Sequence, residues 1–239
     1  MTLQLDHIVI AVRDLDTAIA DFKALGFTVN RGGAHANHAT HNALIVFSDG
    51  TYLELLAPTG QPPLPDLIDF GALLGDDEGL SGFALRSDDL DADAARLRAA
   101  GFGVGDPVPG ERRREDGVLV RWRLALLDGD FAPFLIEDVT PHDLRVPADS
   151  DLTAHLNGAR GVCGLAIAAR DLPVTQDRYA RLFGVPFGEA LPSITLRDGN
   201  ADALDALQLD IAYSAQPPTA SAFSHGVRFE SCPPEHVTR

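Results

Sequence analysis

A histidine interrupts the first apolar run of the chain. His7 lies in the stretch LDHIVIAVRDLD (residues 5–16), whose Ile and Val residues are typical of a buried strand. A histidine at such a position is either a hydrogen-bonded core residue or a group that serves acid–base or metal chemistry. Side chains alternate along a strand, so His7 shares a face with Val9 and Ala11, while the larger aliphatic residues face the other way. The residues around His7 leave both interpretations open.

Glu54 repeats this pattern in a second apolar run, YLELLA. It shares a face with Tyr52 and Leu56, opposite two leucines. Each run therefore presents one ionisable side chain on the face away from its aliphatic stripe. A carboxylate in this position can act as a general base or as a metal ligand.

Two groups of arginines are further candidates. Arg121 and Arg123 flank Trp122 and share one face, which is either an exposed face paired with acidic residues or a grip for a substrate carboxylate or phosphate. The cluster at 112–114 is surrounded by acidic residues. We interpret it as a solvated loop, with a positive lip that guides an anionic substrate as the alternative.

Composition excludes several classes of protein. The chain has 239 residues and a net charge of −16, which argues against nucleic-acid binding. No apolar run approaches the roughly 18 residues of a membrane span and no basic leader is present, so we expect a cytoplasmic protein without a membrane partner. Cys163 and Cys232 imply no disulfide framework. No GxSxG elbow, P-loop or dinucleotide fingerprint occurs, so we expect no nucleotide cofactor.

One pattern occurs three times along the chain. LDHIVIAVRDLDTAIADFKALGFTV, LSGFALRSDDLDADAARLRAAGFGV and VCGLAIAARDLPVTQDRYARLFGVPF each hold an apolar run, an Asp-Leu pair, about three helical turns and a glycine. The aspartate predicts a helix N-cap and the glycine a helix end. Strand-like segments joined by Asp-Gly turns follow each helix, at Asp49-Gly50, Asp128-Gly129 and Asp198-Gly199.

The repeating unit is therefore βαβββ, and the predicted fold class is α+β. We expect paired modules at 1–60 and 78–140, a linker at 141–157, a third module at 158–213 and a tail at 214–239. The tail segment HGVRFES predicts one edge strand.

These features resemble the vicinal-oxygen-chelate superfamily, which includes glyoxalase I, extradiol dioxygenases, methylmalonyl-CoA epimerase and fosfomycin-resistance proteins. LDHIVIAVRDLD, THNALIVF…YLELLAP, VRWRLALL…PFLIED and HLNGARGV are similar to its glyoxalase-like family, and the resemblance covers about residues 3–213. It implies that two modules pair into a cup, a curled mixed sheet with helices outside. It also implies a metal held in the cup by the first and last strands of each module.

The resemblance assigns the metal places residue by residue. His7 and Glu54 fill those of the first module, and Glu137 in FLIED fills the last-strand place of the second. Gly82 falls at the remaining place and cannot bind a metal. The predicted site is therefore His7, Glu54 and Glu137 with Mn, Fe, Co, Ni or Zn, where Glu54 or Glu137 is alternatively the catalytic base. In a metal-free cup, His7 would instead donate to a buried carboxylate.

The tract HANHATHN supplies further histidines. We interpret His35 and His38 as solvent-facing, because scattered loop histidines usually face water. By alternation either His41 or Asn42 points into the cup, as a fourth ligand or a substrate contact. In the third module the corresponding places hold Gly164 and either Gln208 or Asp210, so no metal is expected there.

The resulting functional prediction is a small-molecule enzyme, with or without a bound divalent metal, that acts on a substrate with adjacent oxygens as a lyase, isomerase or dioxygenase. The alternative is a protein of the same fold that binds or sequesters a small molecule without catalysis. An unpaired third module would expose an apolar face, which predicts a homodimer.

Overall fold

The computed structural model describes residues 3–65, 67, 69–74, 77–129, 133–188, 193–200, 203–211 and 223–231. The first module contains β1 (Gln4–Ala11), α1 (Leu15–Ala24), β2 (Asn30–His35), β3 (Thr40–Val46) and β4 (Tyr52–Pro58). The second follows a 3₁₀ helix (Phe70–Leu73) and contains β5 (Gly79–Arg86), α2 (Leu90–Ala99), β6 (Val108–Arg113), β7 (Leu119–Leu126) and β8 (Phe134–Asp138). The rest contains α3 (His142–Arg145), α4 (Ser150–Thr153), β9 (Ala159–Ala169), α5 (Leu172–Phe183), β10 (Ser193–Asp198), β11 (Ala203–Ile211), β12 (Phe223–Ser224) and β13 (Val227–Ser231).

The three long helices begin where the Asp-Leu pairs predict. The side chains of Asp14, Asp89 and Asp171 each accept a hydrogen bond from a backbone N–H of the first turn, at 2.7, 3.0 and 3.1 Å. At the end of α5, Gly184 has a φ of 70°, the left-handed conformation that favours glycine. The capping signals of the sequence therefore set the helix bounds.

The first eight strands form one sheet that closes on itself, in the order β1-β4-β3-β2-β6-β7-β8-β5. Two seams join the modules. Along one, seven residue pairs connect β1 to β5 in antiparallel register, and along the other only Ala34–Arg113 and His35–Arg112 connect β2 to β6. The α+β class and the pairing of the first two modules within one chain are confirmed.

The closed sheet has an apolar cluster on each face. The outer one lies between the strands and the helices and includes Ile8, Phe22 and Phe83. The inner one fills part of the interior with Val9, Leu56, Ala84, Val120, Trp122, Leu124, Phe134 and Ile136. Strand alternation produces this division, because successive side chains go to opposite faces.

The remaining strands form a second sheet in the order β10-β9-β11-β13-β12. This order and its strand directions match β4-β1-β5-β8-β7 of the closed sheet. The hairpin predicted at Asp198-Gly199 is wrong, because β9 lies between β10 and β11. The segment HGVRFES forms β13, with β12 on its outer side, while tail positions 212–222 and 232–239 lie outside the described residues.

The second sheet packs against the closed sheet and its helices. The Phe229 ring lies 6.0 Å from that of Phe22 and 5.8 Å from that of Phe27, and His225 bonds to Asp21 and Glu78 at 3.1 Å each. These contacts join the second sheet to the first module within one chain. The homodimer stays a prediction, as do the bounds of the modules and the linker.

Two further observations concern the sequence expectations. Cys163 in β9 is disulfide-bonded, although two cysteines predicted no disulfide framework. Within the part of the chain that the structure describes, no helix combines the length and apolar character needed to cross a bilayer.

Candidate active site

Polar side chains of both modules meet inside the closed sheet, in a space that we call the interior cavity. Its free volume is about 30 Å³, room for one or two water molecules. The residues that line it are His7, His35, Asn42, Leu44, Tyr52, Glu54, Leu56, Phe70, Leu73, Arg112, Trp122, Phe134, Ile136 and Arg145.

His7 lies between two carboxylates. Its Nδ1–H donates to Asp6 Oδ1 at 2.6 Å, and its Nε2 lies 3.4 Å from Glu54 Oε2. The ring stacks on Tyr52 with 4.5 Å between centroids and is only 2 % exposed. Burial lowers the pKa of His7, but Asp6 and Glu54 outweigh it and raise that pKa above its ordinary 6.5. The two carboxylates therefore favour the protonated imidazole, whose Nε2 faces Glu54 across the cavity.

Arg145 holds Asp6, the carboxylate that bonds to His7. Its two Nη atoms donate to the two carboxylate oxygens of Asp6 at 2.8 Å each, and Nη1 also donates to the Tyr52 hydroxyl at 2.7 Å. Burial raises the pKa of Asp6, but Arg145 and His7 outweigh it and hold that pKa well below its usual range. A bidentate, fully buried arginine of this kind gives the carboxylate one orientation.

The second oxygen of Glu54 has its own partners. Asn42 Nδ2 donates to Glu54 Oε1 at 2.6 Å, and His35 Nε2 lies 3.7 Å from the same oxygen. Burial raises the pKa of Glu54, yet His7, His35 and Asn42 bring it down to about 2. Burial lowers the pKa of His35 to about 4, with Arg112 adding to the shift, so this imidazole is neutral at pH 7.

The structure separates Glu137 from the other two predicted ligands. Its carboxylate accepts from the backbone N–H of Leu90 at 3.2 Å and from Arg123 at 3.0 Å, on the helix side of the sheet. The register explains the correction. In the first module Val9 pairs with Glu54. The counterpart of Val9 in the second module is Ala84, which pairs with Phe134, so Phe134 is the counterpart of Glu54. Glu137 lies three residues further on, an odd number, which places it on the opposite face.

Three other candidates also lie outside the cavity. Arg121 pairs with Glu111 at 3.2 Å, and Arg123 pairs with Asp91 and Glu137, so the interpretation as an outer face with acidic partners holds. Of the alternating pair on β3, Asn42 faces the cavity and His41 does not line it. Of the four residues that the sequence proposed for substrate contact, Asn42 lines the cavity and the others do not.

The residues missed from the sequence are Asp6, His35, Arg112 and Arg145. His35 was predicted to face solvent but is only 3 % exposed. Its Nδ1 forms a hydrogen bond with Thr40 Oγ1 at 2.8 Å. Arg112 is 4 % exposed and lines the cavity, so the solvated-loop interpretation is wrong for it. A signal for His35 existed, since antiparallel pairing of β2 with β3 brings it beside the turn that leads to Asn42.

The donor set does not fit the metal site that the resemblance implies. In the observed register the four places carry His7, Glu54, Gly82 and Phe134, and the last two have no metal-binding atom. Within the described ranges no group of three His, Cys, Asp or Glu side chains is arranged to hold a metal ion. In module three the equivalents of His7 and Glu54 are Gly164 and Thr195, which offer no ligand set either.

Comparison with known proteins identifies the family to which the chain belongs. A family model described as a glyoxalase-like domain matches residues 5–183, so the chain belongs to the glyoxalase-like family. No curated protein matches the sequence.

A solved structure shares the fold over nearly the whole chain, and others are similar to part of it. A hypothetical protein from Staphylococcus aureus superposes with a TM-score of 0.76 at 20% identity, over 96% of this chain and 100% of that one. A methylmalonyl-CoA epimerase from Streptomyces coelicolor, in complex with 2-nitronate-propionyl-CoA, has 26% identity and a TM-score of 0.42, over 59% of this chain and 100% of its own. The epimerase from Mycobacterium tuberculosis has 24% identity and the same TM-score, over 57% of this chain and 88% of its own.

Proposed function

We propose that the chain is an enzyme that moves protons on a small substrate with adjacent oxygens, as an isomerase or lyase of the glyoxalase-like family. The observation that carries this proposal is the Asp6–His7–Glu54 arrangement, in which an imidazole bonded to one buried carboxylate faces a second one inside the cavity. Such a pair of an acid and a base with pKa values pushed apart is typical of acid–base sites.

The two side chains have complementary roles. Asp6 holds the Nδ1–H of His7, so the proton available for transfer is the one on Nε2. Glu54 takes the proton from the substrate carbon next to a carbonyl, so the C–H bond breaks and an O–H bond forms on the carboxylate. His7 gives its Nε2 proton to the carbonyl oxygen, so the N–H bond breaks and the O–H bond of an enol forms. The low pKa of Glu54 depends largely on the charge of His7. As His7 gives up its proton, the carboxylate therefore becomes a stronger base.

The surroundings favour a small substrate. A free volume of about 30 Å³ holds only one or two waters, so a substrate must displace side chains of the cavity wall. Two of these side chains, Phe70 and Leu73, belong to the short 3₁₀ helix. Asn42 positions Glu54 through its 2.6 Å hydrogen bond and is assigned to positioning rather than to proton transfer.

The divalent metal implied by the resemblance is left out of this proposal, because Gly82 and Phe134 occupy two of its four places. Metal analysis of protein purified without a chelating column tests this choice. Metal contents well below one ion per chain are expected. Stoichiometric Mn, Fe, Co, Ni or Zn that is lost on His7→Ala would contradict it.

Proton transfer can be tested without knowledge of the natural substrate. The test compounds are a panel of small 2-oxo and 2-hydroxy acids in D₂O. We expect the purified chain to exchange the carbon-bound proton next to a carbonyl for deuterium in at least one of them. NMR measures the exchange. Glu54→Gln and His7→Gln should each lower the exchange rate at least a hundredfold, the typical contribution of a general acid or base.

His41→Asn is the matched control, since it changes a histidine on the neighbouring strand that does not line the cavity. It should keep the wild-type rate. If panel members bind but none exchanges, or if His41→Asn loses as much activity as His7→Gln, proton transfer at this site is refuted.

The second candidate is binding without catalysis, favoured by the aromatic side chains Phe70, Trp122 and Phe134 in the wall. It predicts saturable binding of an apolar small molecule, measured by the quenching of Trp122 fluorescence, without proton exchange on that molecule. Trp122 is the one tryptophan of the chain, which makes that signal specific to the cavity.

A further inference from the structure

A second cavity lies at one end of the closed sheet, between β2, β3, β6 and the segment that holds α3 and α4. We call it the basic cavity. Its free volume is about 110 Å³, larger than that of the interior cavity, and its lining includes three arginines and no acidic residue. Leu44 and Arg112 line both cavities, so the two share a wall.

Arg112 is the central cation of this wall. It is 4 % exposed and donates to two backbone carbonyls, those of Gly32 and of Arg145, the latter at 2.8 Å. No carboxylate of the described residues lies within ion-pair distance of it, whereas Arg31 pairs with Asp16 and Arg114 with Asp116. Burial lowers the pKa of Arg112, though an arginine keeps its proton. A buried cation without a carboxylate partner is costly, and an anion that binds beside it offsets that cost.

Asn30 adds a second donor to the same lining. Its Nδ2 is buried and has no hydrogen-bond partner among the residues that the structure describes. Buried donors in folded proteins are nearly always satisfied, so an unpaired amide in a basic cavity indicates a ligand that accepts. Carboxylate and phosphate groups accept such bonds and match the charge of Arg112.

We propose that the basic cavity binds an oxyanion, the carboxylate or phosphate group of the substrate whose reactive carbon lies in the interior cavity. The anion site rests on Arg112 and Asn30 alone. Its assignment to the substrate rests on the proposed function and on the shared wall. The substrate class is therefore a small carbonyl or hydroxy compound that also carries an acidic group.

Binding of inorganic phosphate at low ionic strength, measured by calorimetry, tests the anion site. The wild type should bind one phosphate per chain with a saturable isotherm, and Asn30→Ala and Arg112→Gln should each raise the Kd at least tenfold. Arg113→Gln is the matched control, because Arg113 is the adjacent residue of β6, carries the same charge and donates instead to the exposed Gly117 carbonyl. Its Kd should stay at the wild-type value.

Two results would overturn the anion site. One is the absence of saturable phosphate binding by the wild type. The other is an equal loss in Arg113→Gln, which would indicate general electrostatic attraction. Asn30→Ala keeps the test decisive if Arg112→Gln does not fold, since it removes no charge.

The link to the substrate needs a separate measurement. With a panel compound that exchanges, Asn30→Ala should raise KM at least tenfold and change kcat little, and the neutral amide of that compound should show no such effect. Phosphate binding with an unchanged KM would refute the link while leaving the anion site in place. Phosphate binding that survives in a chain without exchange activity would refute the proposed function alone.

Discussion

Two buried histidines of the interior cavity have pKa values shifted in opposite directions, and the cause is their nearest neighbours. His7 has a carboxylate on each side, at 2.6 and 3.4 Å, and these overcome the cost of burial. His35 has Glu54 only at 3.7 Å and Arg112 nearby, so burial dominates and its pKa falls to about 4. His35 is therefore neutral at neutral pH, whereas the neighbours of His7 favour its protonated form.

The neutral state of His35 makes stability depend on pH. In the unfolded chain His35 takes up a proton near pH 6.5, but in the folded chain it does so only near pH 4. Stability is thus lost as the pH falls from 6.5 towards 4. Over the part of this window above pH 4.5, the ordinary pKa of Glu54, the contribution of His7 stays constant and Glu54 stays ionised. We expect His35→Gln to flatten the pH dependence of the unfolding free energy between pH 6.5 and 4.5 by about 2 kcal/mol.

Urea denaturation at several pH values measures this slope. His38→Asn is the control from the same tract, since His38 is exposed and its φ of 64° suits asparagine. An equal flattening in both variants, or none in His35→Gln, would rule out the buried neutral imidazole as the cause.

At the scale of elements, the four-residue helix α3 closes one end of the sheet through a single side chain. Arg145 is 2 % exposed and joins Asp6 of β1, Tyr52 of β4 and Asp138 of β8. Propensity does not stabilise so short a helix, so these contacts do.

Removal of this arginine should leave Asp6 buried without its main cation. We expect Arg145→Met to lower the unfolding free energy by about 3 to 5 kcal/mol, as the loss of one partner of a buried ion pair does. Arg121→Met, which removes an exposed pair with Glu111, should cost less than about 1 kcal/mol. Chemical denaturation of both variants provides the comparison, and similar losses would show that burial of the pair is not what matters.

The individual strands show which parts of the site could be predicted from the sequence. Alternation placed His7 and Glu54 correctly because each lies in a regular strand with a clear aliphatic stripe. The resemblance misplaced Glu137 because it matched the strand at its acidic residue, and only the pairing of Ala84 with Phe134 reveals the offset. Alternation missed His35 because NRGGAH has two glycines and a register shift between Arg31 and Gly33, so no period is visible. Arg112 and Arg145 depend on contacts between elements far apart in sequence, which no local pattern records.

At the scale of the whole molecule, the two sheets share one apolar core. Phe229 of β13 is 5 % exposed and contacts Phe22 and Phe27 of the first module. Repeats in the sequence predicted three modules, but the packing of the third on the first could not be deduced, because it depends on the tail.

The shared core predicts a single unfolding transition. Phe229→Ala should lower the unfolding free energy by about 3 to 5 kcal/mol without splitting that transition, as for a large-to-small change in a core. Leu126→Ala, at a leucine that is 49 % exposed, should change it by less than about 1 kcal/mol. Calorimetry distinguishes the outcomes, and two separate transitions in the wild type would show that the sheets fold independently.

The matching strand order of the two sheets has a consequence for the ancestry of the chain. The second sheet corresponds to β4-β1-β5-β8-β7, and its described strands include no counterpart of β2, β3 or β6. Those three strands carry His35, Asn42 and Arg112, and the counterparts of His7 and Glu54 are Gly164 and Thr195. A duplicated gene segment that kept its scaffold and lost its chemical groups would have this form. Selection on that half would then act through packing and stability, and we expect its polar positions to vary more among relatives than those of the interior cavity.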